Sequence, residues 1–224
     1  MGEPMLLRAL GALLTYPRPE LVAALPEVAA VLDRGADLPA AERSGLAALV
    51  GDMQRTDALE LEERYVGLFD RGRATSLNLF EHLHGDSRDR GPAMVALMDV
   101  YARAGFRMAT KELPDFLPVV LEYLSCRDRA EVRAMLADCA HILRGIGETL
   151  LARDSRYAAV FAALLAIAGE PGLDRSRVAK GSQEPTFDDD WAEQPAFATP
   201  AADASTRGST MHFVPPRQTS GGRH

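Results

Sequence analysis

The residues of this sequence that could do chemistry crowd into one stretch, from Tyr65 to Met94. It holds Asp70-Arg71-Gly72-Arg73, then Phe80-Glu81-His82-Leu83-His84-Gly85, then Asp86-Ser87-Arg88-Asp89-Arg90. A metal held by His82 and His84 needs an extended segment, because two positions along a helix point about 200° apart. The local pattern is helical, so the pair does not converge. Glu81 and His84 form a Glu-x-x-His step, the unit that di-iron bundles use twice, and Asp138 with His141 is a weaker second copy. On a helical wheel, however, the apolar stripe of that second segment centres on Cys139, Ile142 and Ile146. His141 falls nearly opposite, beside Ala137, Arg144 and Glu148. A ligand on the solvent face cannot join an interior site. A triad of Ser76 or Ser87 with His82 or His84 and Asp86 lacks the glycine pattern of a nucleophile elbow. No phosphate-binding glycine loop is present. What remains is a recognition surface, where arginines beside aspartates make forked, charge-assisted contacts within the chain or to a partner. A run such as Ser87-Arg88-Asp89-Arg90 reads equally well as a salt-bridged loop.

The elements that must position this stretch are helical throughout; alternating strand patterns are almost absent. A first helix runs from about Met5 to Tyr16, with Leu6, Leu10, Leu13 and Leu14 on one face, and Pro17 and Pro19 end it. A second covers Glu20 to Arg34, interrupted at Pro26. A third follows Pro39 and runs toward Gln54. Asp57 with Glu60 is a capping-box pattern opening a fourth helix through Leu68. A short fifth helix spans Ser76 to His84, and Pro92 and Gly105 bracket a sixth. Pro114 to Ser125 is a seventh, with both prolines in its first turns. Asp128 and Glu131 then open one long helix, in which Val132, Met135, Leu136, Cys139, Ile142, Leu143, Ile146 and Leu150 keep a three-four spacing. Ser155 caps a last helix through Ala168, apolar nearly all round and therefore central. The fold class is all-α: one helical bundle over residues 1–180, followed by a flexible tail, 181–224, rich in Pro, Ser, Gly and Asp.

A net charge of -7 makes nucleic acid a poor partner and a basic protein surface a better one. Cys126 and Cys139 lack the paired spacing of a zinc site and are too few for a disulfide framework. The start carries Glu3 and no basic leader or cleavage site, so it does not read as a secretory signal. The longest apolar run, Ala158 to Gly169, is short of the roughly 18 residues that span a bilayer. Stable membrane insertion is therefore not expected, and a cytoplasmic location is.

The same cluster carries a resemblance. Tyr65-Val66-Gly67-Leu68-Phe69-Asp70-Arg71-Gly72-Arg73-Ala74-Thr75-Ser76-Leu77 continues into Leu79-Phe80-Glu81-His82-Leu83-His84-Gly85. Asp86-Ser87-Arg88-Asp89-Arg90-Gly91 with Ala93-Met94 follows. This block resembles the NarJ-type chaperones, called the delta subunit of respiratory nitrate reductase, within the wider TorD-like group of molybdoenzyme chaperones. Glu112-Leu113-Pro114-Asp115-Phe116-Leu117-Pro118 is similar to the group's Glu-Leu-Pro-Asp segment, with Phe116 where a histidine usually stands. The Leu-Thr-Tyr-Pro ending of the first helix fits as well. The likeness spans about residues 5–180.

The resemblance implies a TorD-like bundle, no cofactor, no catalysis, and a chaperone that binds the immature catalytic subunit of nitrate reductase. It supports molybdenum cofactor insertion and is absent from the finished complex. Its client segment is expected near that subunit's N-terminus, as an amphipathic helix seated in an apolar groove. Candidate groove walls are Tyr65, Leu68, Phe69, Leu79 and Phe80, residues that read equally well as core. Candidate rim residues are Asp70, Arg71, Arg73, Glu81, His82, His84, Asp86, Glu112 and Asp115. The competing class is a helical di-iron or other metal-binding oxidoreductase.

Overall fold

A computed structural model describes residues 2–34, 38–85, 87–109 and 111–174. Asp86 and the expected boundary between bundle and tail at 180 lie outside the described residues. Among the described residues ten α-helices follow one another: α1 (Gly2–Leu13), α2 (Pro19–Asp33), α3 (Ala40–Arg55), α4 (Ala58–Tyr65), α5 (Leu79–His84), α6 (Arg90–Arg103), α7 (Leu117–Leu124), α8 (Arg129–Asp138), α9 (Ala140–Ala152) and α10 (Ala158–Ala168). A wide π turn, Val66–Asp70, prolongs α4, and a tight 3-10 turn, Arg73–Thr75, precedes α5. Among the described residues there is no β-strand, only an isolated bridge between Asn78 and Phe116.

The apolar spacing explains the packing. Val160, Phe161, Ala163, Leu164 and Leu165 of α10 are all fully buried, because that helix has no polar face to offer solvent. It packs against α3, α8 and α9, while α1 lies against α2 and α7. Leu6, Leu10, Leu13 and Leu14 all reach the core. Asp57 accepts from the Leu59 N–H (2.9 Å) and Asp128 from the Glu131 N–H (2.9 Å), so both acidic caps satisfy otherwise orphaned donors. Gly105 and Gly169 stop α6 and α10 with φ of 75° and 81°, where a side chain would be strained.

Several boundaries differ from the sequence expectation. The first helix ends at Leu13, not Tyr16: Thr15 Oγ1 donates to the Ala12 carbonyl (2.7 Å) and Leu14 N–H to Gly11 (3.0 Å), tightening the last turn. Pro26 does not interrupt α2. It sits on the exposed side, while buried Leu25, Val28 and Leu32 hold the helix to the core. The expected long helix is two, broken at Cys139, whose buried thiol donates back to the carbonyls of Met135 (3.3 Å) and Leu136 (3.5 Å). This is the back-bonding that also bends helices at Ser and Thr. The seventh helix starts at Leu117, leaving Pro114 outside it, and α5 starts at Leu79 rather than Ser76. Both shifts have one cause, described next.

Candidate functional site

The segment 112–118 clamps the start of α5. Asp115 is wholly buried, and its Oδ2 accepts from the Phe80 N–H (2.9 Å) while its backbone carbonyl accepts from the Leu79 N–H (3.1 Å). Leu117 N–H donates to the Leu77 carbonyl (2.8 Å), which holds Ser76 to Asn78 extended instead of helical. The Tyr101 hydroxyl donates to the Pro114 carbonyl (2.8 Å), so α6 braces the same clamp. A six-residue helix cannot sustain itself, and its own N-cap, Asn78, supplies no side-chain bond. Its first donors are therefore satisfied by Asp115, the Leu79 N–H by the backbone carbonyl and the Phe80 N–H by the carboxylate, 35 positions along the chain. Asp115 Oδ1 makes no hydrogen bond within the described protein. Burial pushes this carboxyl above the ordinary range, partly offset by the Phe80 N–H and the positive charge of Arg90.

Outside this clamp the polar residues of α5 are engaged within the fold. Glu81 pairs with Arg90 (3.2 Å), joining α5 to α6. His82 Nε2 lies 2.9 Å from the Ser76 carbonyl, and His84 stands edge-on to Phe80 with ring centroids 5.7 Å apart. Beneath the π turn runs an aromatic chain, Tyr16–Tyr65–Phe69–Tyr157, with centroid separations of 5.6, 5.0 and 5.1 Å. The Tyr65 hydroxyl donates to the Leu14 carbonyl (3.0 Å), and burial raises its phenol strongly. The Thr75 hydroxyl donates to the Leu68 carbonyl, closing the π turn onto the 3-10 turn.

These contacts sort the candidate residues. Tyr65, Phe69, Leu79 and Phe80 are buried members of the core, and Leu68 is half-buried against it; none forms an open wall. Asp115, expected on the polar rim, is an interior cap. Glu81, His82 and His84 are half-buried, whereas Asp70, Arg71, Arg73 and Glu112 are exposed. His141 is exposed on α9, and among the described residues no three His, Cys, Asp or Glu side chains converge as a metal site. No described helix is long and apolar enough to cross a membrane. Sequence reasoning missed Tyr16 and Glu62. The neighbouring Glu62 carboxylate, with Asp70 beyond it, raises the Tyr16 phenol. The only trace in sequence is that Glu62 and Tyr65 share one helix face.

The fold defines a class, an all-helical bundle built on short, tertiary-capped helices. It superposes on a putative redox enzyme maturation protein from Archaeoglobus fulgidus with a TM-score of 0.53, at 18% identity, covering 72% of this chain and 90% of that one. The chain belongs to the nitrate reductase delta subunit family, whose model matches residues 34–163. It is 40% identical over 177 residues to the nitrate reductase molybdenum cofactor assembly chaperone NarJ of Escherichia coli K12, covering 79% of this chain and 75% of that protein. It is 37% identical over 164 residues to the probable nitrate reductase molybdenum cofactor assembly chaperone NarW of the same strain, covering 73% and 68%.

Proposed function

We propose that this protein is a dedicated assembly chaperone for a respiratory nitrate reductase. It binds the immature catalytic subunit, keeps it competent for molybdenum cofactor insertion, and leaves before the complex is finished. The observation that supports this reading is the 40% identity over 177 residues to a nitrate reductase molybdenum cofactor assembly chaperone. The chain works as a binding partner, not a catalyst: several polar groups in and around the 65–94 cluster are spent within the fold. Glu81 is spent on Arg90, His82 on the Ser76 carbonyl, and Asp115 on α5. The client segment is the N-terminal region of the catalytic subunit, met in the cytoplasm. The 65–94 cluster contributes to the recognition surface through its outward residues, Asp70, Arg71 and Arg73, with Tyr65, Phe69 and Phe80 packed in the core beneath.

Co-expression with the nitrate reductase catalytic subunit tests this. The tagged chain should capture that subunit while it lacks the molybdenum cofactor and release it once the cofactor is in place. Equal capture of the mature, assembled complex would contradict the proposal.

A further inference from the structure

Helix α4 and the π turn present one ridge to solvent, with Leu59, Glu63 and Asp70 exposed and Glu62 and Val66 half-buried. Leu59, Glu62, Glu63, Val66 and Asp70 follow one another along it at helical spacing. Leu59 is the most exposed large apolar side chain of the described residues, at 64%. Tyr16 stands beside the ridge, 36% exposed and edge-on to Tyr65, and the nearby Glu62 carboxylate raises its phenol. Three carboxylates and two apolar side chains thus share one strip of surface with a half-exposed phenol.

Among the described residues no basic side chain occupies the ridge positions themselves. Arg64, on the same helix, is turned away to Asp52 (2.8 Å) and Glu60 (2.5 Å). The neighbouring cations are Arg18, whose charge reaches Tyr16, and Arg71, just past the ridge. The exposed stripe of α6, where Val95 and Met98 face solvent, differs: Arg88, Arg103 and Arg107 are mixed with Asp89 and Asp99 around it. Of these two stripes, the α4 ridge is the one whose own charges are of one sign.

We infer that the ridge of Leu59, Glu62, Glu63, Val66 and Asp70, with Tyr16, is the docking face for a basic amphipathic helix of the client. Such a helix would lay its apolar side on Leu59, Val66 and the Tyr16 ring, and set lysines or arginines against Glu62, Glu63 and Asp70. The carboxylates would also speed encounter with a cationic segment. The Tyr16 face adds a cation–π position next to two carboxylates. This inference rests on the chaperone reading above and locates its contact surface.

The test uses the full chain in two arms. In the first, wild-type protein is assayed for capture of the co-expressed catalytic subunit. In the second, calorimetry follows a synthetic 18-residue Leu/Lys amphipathic helix, and the same peptide with Glu for Lys. We expect the Lys peptide to bind and the Glu peptide not to. The triple variant Glu62→Gln, Glu63→Gln, Asp70→Asn should weaken Lys-peptide binding at least tenfold, and Leu59→Ser should weaken it several-fold. Both should also lower capture of the catalytic subunit, with unfolding temperatures unchanged. Val95→Ser with Met98→Ser on α6 should alter neither. If wild type captures the subunit but the ridge variants capture it equally well, the docking face is overturned and the chaperone reading stands. Loss of capture in the α6 variant instead, or a ridge occluded in a dimer of this chain, would overturn it too. If wild type captures no catalytic subunit, the chaperone reading itself fails and takes this inference with it.

Discussion

Two surfaces of the same region are built on opposite principles. The inner one, where the 112–118 segment meets α5, buries a carboxylate and spends it on the backbone of a helix too short to stand alone. The outer one, on α4 and the π turn, leaves Glu62, Glu63 and Asp70 with at least partial access to solvent around exposed apolar side chains. Acidic residues occur on both, so residue type does not separate structure from recognition. Burial and hydrogen-bond partners do. A buried acceptor that caps backbone donors is costly to remove, whereas an exposed carboxylate contributes little to folding and is available to a partner.

Removing the inner acceptor should give the largest loss of stability. Asp115→Ala strands the Phe80 N–H in the interior, and chemical denaturation should report a loss of about 1–3 kcal/mol. A midpoint equal to wild type would erase the distinction between the two surfaces. Tyr65→Phe, which leaves the Leu14 carbonyl without its hydroxyl donor, should cost about 0.5–1.5 kcal/mol by the same measurement. Breaking the half-exposed Glu81–Arg90 pair with Glu81→Gln should cost at most about 1 kcal/mol, and less in high salt. On the outer surface, Asp70→Asn should change stability by less than about 0.5 kcal/mol.

The inner carboxylate should also leave a signature in pH. Its folded pKa lies above the unfolded value, because burial disfavours the charge. Its contribution therefore favours folding below the ordinary carboxyl range, about pH 4, and is lost as pH rises through the raised folded value. Asp115→Asn keeps an acceptor for Phe80 N–H and removes the titration. Relative to wild type, its urea midpoint should improve as pH rises from about 4. A constant difference would show that Asp115 titrates normally.

The helical class, the central place of α10 and the acidic caps were legible in sequence, because apolar spacing and capping chemistry are local. The break at Cys139 was not, because Leu136 and Ile142 keep the apolar spacing across it while the thiol bends the chain. Nor was the role of Asp115: a cap reaching 35 positions leaves no local pattern. The aromatic cluster at Tyr65, Phe69 and Phe80 read equally well as core or groove, and only burial separates the two. The Tyr16–Tyr65 ring contact joins α4 to the loop after α1, a proximity that spacing along one helix does not encode.

The most direct measurement is capture of the cofactor-free catalytic subunit by wild-type protein, by Asp70→Asn in the triple ridge variant, and by Glu81→Gln, each checked for folding. The account predicts strong capture by wild type and Glu81→Gln, and at least a tenfold loss for the ridge variant at an unchanged unfolding temperature. Undiminished capture by a folded ridge variant, or no capture by wild type, would contradict it.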